Sequence, residues 1–386
     1  MNLKRSAVIV TLSIVTLTLV MVGLVVLSSS SASILAKDHE RNTYVWLGRQ
    51  LMWLAMGLGV MGLSTQFDYN LLRPWARPLL LFTIALLAAV LWSPLGVTIN
   101  SATRWLAFGP IRVQPSELAK LTMVLYLAEC WSRRYEELNS FWRGLVPSFT
   151  VIGIVLALIF PEPDKGTAFF LGFLCVVMWF AAGGRLKQIL PIFTVLVVAT
   201  LIFIVRDPYS MKRLKRYVSG EESYQIQMSK IAFSNGGWKG VGIGEGRQKM
   251  GFTPESHTDF IFSVYGEELG FIGCVLLLLA FSTIVTLAVY VALNCEDLFG
   301  SLLAAGCGLC IGLQALLNIA VVTKVVPTTG ISLPFISYGG SSLVIFMIMV
   351  GFIINVARST LREQSGNRTA QRRRSGRRYQ TQTASA

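Results

Sequence analysis

From residue 7 to residue 27 the chain reads AVIVTLSIVTLTLVMVGLVVL, with no charged side chain. As a helix rising 1.5 Å per residue, a run of this length crosses the ~30 Å hydrocarbon core of a bilayer. Comparable runs recur at 45–65, 77–95, 117–131, 145–160, 167–183, 188–205, 260–290, 300–325 and 341–357. The pattern predicts about ten helical spans, of which 117–131 is short by the length rule. The two-residue alternation of a membrane β-barrel is absent. The first run is longer than a signal peptide's apolar region and has no clear small-residue cleavage site. The predicted fold class is an all-α polytopic membrane protein, with a long extracytoplasmic loop between spans seven and eight.

Composition agrees. Of 386 residues, 53% are hydrophobic and 14% charged, against about 25% charged in soluble domains. Lys4 and Arg5, Arg133, Arg134 and Arg143, Arg185 and Lys187, and eight arginines in 358–378 all fall on one side of a ten-span chain. The positive-inside rule makes that side, with both termini, cytoplasmic. The loop 206–258 dissents, carrying Arg206, Lys212, Arg213, Lys215 and Arg216 on the outer side. The expected organisation is one membrane domain, 1–357, and a basic tail, 358–386. The tail is too polar to build a core and suits contact with anionic membrane lipids or a cytoplasmic partner. No folded basic domain with aromatic platforms points to nucleic acid. Six cysteines lie in or beside apolar runs. The Cys307/Cys310 pair has no second pair and no nearby His, so it signals neither metal nor redox chemistry.

Four segments on the outer side break the apolar pattern: 96–116, 161–167, 206–259 and 326–342. In the first, Pro115 and Glu117 mark a helix start. Glu117 and Lys120 share a helix face as an interfacial ion pair or as a pair at membrane depth facing a cavity. In the second, Pro161 and Pro163 stop one helix and Asp164 to Thr167 can cap the next. The third holds NGGWKGVGIGEGRQK, whose glycines match neither phosphate-loop pattern, although Arg247 and Lys249 suit phosphate. The fourth, VPTTGISLPFISYGGSS, is too rich in Pro and Gly for a helix. It predicts a re-entrant, cavity-lining segment that presents hydroxyls such as Ser337 and Tyr338. At 254–259, Glu255, His257 and Asp259 crowd together just before the apolar run that starts at Phe260. Asp259 is either the N-cap of that helix or a reactive carboxylate at the membrane surface. Glu267 and Glu268, two turns deeper, read as buried polar groups or a helix-packing pair.

RWLAFGPIRVQPSELAK, PEPDKGTA, GGWKGVGIGEGRQK, PESHTDFIFSVYGEELGFIG and PTTGISLPFISYGGSS occur in that order over 104–342. Together they resemble the SEDS family (shape, elongation, division and sporulation) of bacterial membrane proteins. PEPDKGTA, PTTG and the basic tail lean towards the division branch rather than the elongation branch. The resemblance implies a peptidoglycan glycosyltransferase in the inner membrane that polymerises lipid II, a disaccharide-peptide on undecaprenyl pyrophosphate. It also implies Asp259 as the catalytic carboxylate, with Glu255 and His257 tuning or positioning it. Arg104 and Lys249 are the candidate pyrophosphate ligands, and Glu117 and Lys120 shape the cavity. A sugar hydroxyl is a poor nucleophile and gains from a general base. The pyrophosphate leaves as an anion and gains from cations, so one essential acid suffices, unlike the paired acids of glycosidases. Some relatives carry Lys where this chain has Thr329, and an acid where it has Gly251; Lys324 is five residues away from Thr329.

The resemblance further implies a class B penicillin-binding protein as crosslinking partner, together with other division proteins. No SxxK transpeptidase motif serves that role in this chain. A divalent cation (Mg or Mn) would assist pyrophosphate, but no ligand set in the sequence requires one. Two other functions fit a polar cavity among helices: a lipid II flippase and a non-catalytic division scaffold. Both would tolerate loss of Asp259. The clustering of polar segments at one face favours the enzyme.

Overall fold

The computed structural model describes residues 5–35, 43–99, 102–109, 111–162, 164–185, scattered positions between 187 and 205, 208–220, 222–248 and 258–360. The chain folds as a helical bundle. Its helices are α1 (Arg5–Leu35), α2 (Thr43–Ser64), α3 (Ala76–Trp92), α4 (Pro115–Arg133), α5 (Val146–Ile159), α6 (Lys165–Ala181), α7 (Pro208–Val218), α8 (Tyr224–Gly236), α9 (Ile261–Leu293), α10 (Leu298–Val322) and α11 (Gly340–Thr360). Five helical stretches are long and apolar enough to cross a membrane: Ser6–Ser29, Phe141–Ile159, Ile261–Leu293, Leu298–Val322 and Gly340–Thr360. Nine of the ten runs read from the sequence fall on helices. The seventh, 188–205, lies largely outside the described residues, as does most of the tail.

The structure departs from the all-α expectation at 96–113. Three antiparallel strands, β1 (Gly96–Ile99), β2 (Ala102–Phe108) and β3 (Ile111–Val113), pair in that order. Backbone leaving the ends of α3 and α4 must satisfy its own N–H and C=O groups, and the sheet does so without a helix. The loop 206–259 is not irregular throughout either, because it contains α7 and α8.

α4 explains its own short hydropathy run. It is the central helix, packed against α3, α6 and α10 and buried from Pro115 to Trp131 except at Leu118. A helix surrounded by protein need not be apolar all round. Its buried polar residues include Glu117, Lys120, Thr122 and Glu129.

α9 is broken at Gly270, which adopts φ 66° and ψ −167° inside an otherwise helical stretch. The break exposes two carbonyls and two amides, and the glycine-rich stretch 237–248 takes them up. Val241 N donates to Glu267 O (3.0 Å) and Gly242 N to Glu268 O (3.0 Å). Phe271 N donates to Gly237 O (2.9 Å) and Ile272 N to Trp238 O (3.2 Å). The Glu267 side chain completes the clamp, accepting from Asn235 Nδ2 (3.1 Å) and Gln248 N (3.0 Å). Ser29 Oγ of α1 donates to Glu268 Oε1 at 2.5 Å. Both acids are buried.

A Cβ at Gly270 would stand 2.3 Å from Gly240 N, in a backbone conformation that suits glycine. Gly270→Ala is expected to destabilise the protein by about 1–3 kcal/mol, read as a lower melting temperature in detergent. An unchanged melting temperature would contradict the clamp.

Candidate functional site

The segments singled out from the sequence converge at the sheet end of the bundle. Asp259 stands one residue before the N-cap of α9. The N-cap itself is Phe260, which makes no side-chain cap, so the structure corrects the capping alternative. Asp259 is half-buried. Its main-chain oxygen accepts from Asn318 Nδ2 of α10 at 2.8 Å, and the same nitrogen donates to Ile331 O at 2.7 Å. Ser337 Oγ donates to Thr258 O at 2.7 Å and accepts from Leu333 N at 2.8 Å. The stretches 258–259 and 330–337 are thereby stitched together.

The side chain of Asp259 points at the same segment. A Cβ built on Gly330 would lie 3.3 Å from Asp259 Oδ2, and Gly330 has φ 77°. Gly330 thus supplies both the left-handed turn and the room for a carboxylate. Phe335 also carries a positive φ, 64°, a conformation uncommon for a bulky residue. It is held where Gly23 of α1 comes close: a Cβ there would be 2.6 Å from Phe335 O.

Glu117 and Lys120 are buried in protein. Lys120 Nζ donates to Glu117 Oε1 and to Gln314 Oε1, both at 2.7 Å. It also lies 5.6 Å and 5.7 Å from the ring centres of Phe170 and Phe346. Gln314 Nε2 donates to Ser332 O at 3.0 Å. The ion pair therefore braces the 326–339 segment through Gln314. Removing one partner of a buried pair typically costs about 3–5 kcal/mol, because a lone charge is left behind.

The PEPDKGTA turn packs on the other side of the segment. Asp164 accepts from Thr167 N (3.3 Å), Gln114 Nε2 (3.2 Å) and Ser116 Oγ (3.2 Å). It therefore caps α6, as expected, and also ties α6 to α4. Gly166 permits close approach, since a Cβ there would be 2.4 Å from Thr329 O. Arg104 of β2 donates from Nε to Glu162 O at 3.1 Å. Ser341 Oγ donates to Arg112 O at 3.3 Å. On the solvent side, α7 docks through Arg213 Nη1 to Thr328 O (3.3 Å) and Tyr217 OH to Val325 O (2.8 Å). Lys324 Nζ pairs with Glu222 Oε1 at 2.9 Å and so does not stand in at Thr329.

Of the predicted site residues, Asp259 and Ser337 come together, with Arg104 and the Glu117–Lys120 pair anchoring the neighbouring walls; Tyr338, next in the chain, is half-buried. Lys249, Glu255 and His257 lie outside the described residues. Sequence reasoning missed Asn318 and Gln314. They stand four apart in α10, on one helix face, inside an apolar run where two carboxamides were a readable signal. It also missed Glu162. This carboxyl is fully buried, and neither oxygen has a hydrogen-bond partner among the described residues.

A model of the cell cycle protein family comprising FtsW, RodA and SpoVE matches residues 10–362. The chain belongs to this family. The FtsW/RodA/SpoVE match bears out the SEDS resemblance and makes the chain a multi-pass membrane protein. It is 38% identical over 340 residues to a probable peptidoglycan glycosyltransferase FtsW of Trichlorobacter lovleyi, covering 87% of this chain and 89% of that one. It is 36% identical over 363 residues to the stage V sporulation protein E of Bacillus subtilis, covering 93% and 99%. Among solved structures it is similar to a chain of a peptidoglycan synthase complex that coordinates polymerization and crosslinking (TM-score 0.74, 29% identity, 90% and 97% covered). It is also similar to the rod shape determining protein RodA of Thermus thermophilus (TM-score 0.65, 28% identity, 90% and 96% covered).

Burial pushes the Glu162 carboxyl up to about 8; neighbouring Asp164 adds to the rise and Arg104 opposes it. Between the ordinary value of 4.5 and about 8 the folded protein keeps a proton that the unfolded chain releases. This residue therefore makes stability fall as pH rises through that window. Glu162→Gln removes the titration. Its melting temperature is expected to gain on wild type as pH increases from about 5 to about 8. Parallel profiles for the two proteins would contradict a buried, protonated Glu162.

Proposed function

We propose that the chain is a peptidoglycan glycosyltransferase that polymerises lipid II, with Asp259 as general base. The observation that carries this reading is the half-buried carboxylate of Asp259 facing the Gly330 turn, in a family whose relatives are named for that activity. The sheet end of the bundle is the extracytoplasmic end, and both termini are cytoplasmic.

In the reaction, Asp259 accepts the proton of the acceptor's GlcNAc hydroxyl. The freed oxygen bonds to the anomeric carbon of the donor's MurNAc, and the bond from that carbon to the lipid pyrophosphate breaks. The pyrophosphate leaves with the electron pair. Arg104 and Lys249 neutralise its charge, which grows as the bond breaks. Glu255 and His257 position the base. Ser337 holds the backbone beside it, Tyr338 offers a hydroxyl to substrate, and Glu117 and Lys120 keep the wall in place. Among the described residues no group of three or more His, Cys, Asp or Glu side chains fits a metal.

The division role is the favoured one, supported by the probable FtsW relatives. A class B penicillin-binding protein is the proposed partner, supported by the similarity to a synthase complex that both polymerises and crosslinks. Division proteins and membrane lipids complete the surroundings.

The test is glycan synthesis from labelled lipid II by the purified chain with its penicillin-binding partner. Asp259→Asn is expected to lose about 10²-fold or more of the rate while still folding and binding the partner. Wild-type rates from Asp259→Asn would contradict the assignment.

A further inference from the structure

The turn between α5 and α6 holds a carboxyl that the reaction proposed above does not use. Glu162 N donates to Ile159 O at 3.1 Å and closes α5. Glu162 O accepts from Arg104 Nε of β2 at 3.1 Å, which ties the turn to the sheet. The Glu162 side chain is fully buried, and among the described residues neither of its oxygens has a hydrogen-bond partner.

An ionised carboxylate enclosed in this way is far less stable than a protonated one. Its neighbours adjust the balance. Asp164, held by Thr167 N, Gln114 Nε2 and Ser116 Oγ, pushes Glu162 further towards the neutral form, and Arg104 pulls the other way. Among the described residues these two are the charged groups that act on it. α4 meets the turn with Gln114 and Ser116, and the 326–339 segment meets it with Thr329, all of them neutral. The net result is a carboxyl that keeps its proton up to about pH 8.

Arg104 is the guanidinium that the proposed reaction sets against the leaving pyrophosphate. A guanidinium grips a carboxylate or a phosphate through the same parallel N–H donors, so the two acids compete for it. While Glu162 keeps its proton it is a poor competitor, and Arg104 Nε bonds its main chain rather than its carboxyl. Once the proton leaves, a buried negative charge stands beside Arg104, and pairing with that cation compensates it.

We infer that Glu162 is a positioning residue: its neutral carboxyl leaves the Arg104 guanidinium to the substrate diphosphate, and its carboxylate takes that guanidinium away. The inference rests on the polymerase reading, in which Arg104 meets the diphosphate.

The test is lipid II binding to the full chain in phosphatidylcholine nanodiscs at about pH 6 and about pH 9. Every sample carries Asp259→Asn, so that nothing turns over. Both phosphates of lipid II are esterified, so its diphosphate keeps its charge over this range. With Glu162 and Arg104 intact, Kd is expected to rise about tenfold, the linkage limit at about one pH unit above the pKa of the carboxyl. Adding Glu162→Gln is expected to give the same Kd at both pH values. Adding Arg104→Gln is expected to weaken binding about tenfold at the lower pH, the loss of a charge-assisted contact, with no further loss at the higher. A Kd that does not change with pH when both residues are intact would overturn the assignment, as would a rise that survives either substitution. The expected pattern in a protein whose wild type makes no glycan would uphold the coupling of Glu162 to Arg104 and remove the reaction that uses it.

Discussion

One carboxamide joins the two stretches of chain on which the site depends. Asn318 donates from a single nitrogen to Asp259 O and to Ile331 O. Buried backbone that is neither helix nor sheet persists only when its polar groups find partners in protein or water, since each unsatisfied group costs several kcal/mol. The 326–339 segment meets that condition through side chains. Asn318 and Gln314 of α10 hold residues 331 and 332, and Ser337 turns back on Leu333 while reaching Thr258. A helix placed across the bundle thus fixes where Asp259 stands.

The same economy runs through the walls. In the buried Glu117–Lys120 pair the ammonium also reaches Gln314, which carries the brace into the segment. Glycines act at the close approaches: Gly166 against the main chain of Thr329, Gly23 against that of Phe335, and Gly340 against the ring of Trp53. The broken α9 applies the principle differently, because its freed carbonyls and amides are claimed by the glycine-rich loop. The result is a rigid floor with a carboxylate at its edge, as a preorganised site requires.

Much of this was legible in the sequence. Apolar runs located nine helices, because length and hydropathy are fixed by the bilayer. The four polar interruptions marked the end where the candidate site lies, and Pro–Gly punctuation identified the segment that is irregular through residue 339. Three things were not legible. Residues 96–113 were left irregular because their short strands are interrupted by turn residues. The burial of Glu117 and Lys120 depended on neighbours from α6, α10 and α11. The N-cap alternative for Asp259 failed by one residue, a shift that helix-boundary signals do not resolve. Asn318 and Gln314 were visible as polar residues in an apolar run, but their partners lie in backbone 13 and 18 residues away. No local pattern names a main-chain carbonyl as a partner.

The central claim is that Asn318 acts by positioning Asp259. The direct measurement is a double-mutant cycle on the rate of glycan synthesis, using Asn318→Ala, Asp259→Asn and the pair. A misplacement of about 1 Å costs on the order of 10²-fold, so Asn318→Ala should slow the wild-type enzyme strongly. In the Asp259→Asn background it should cost almost nothing more, because there is no base left to position. Losses that multiply in the double variant would show that the two residues act independently and would contradict the account.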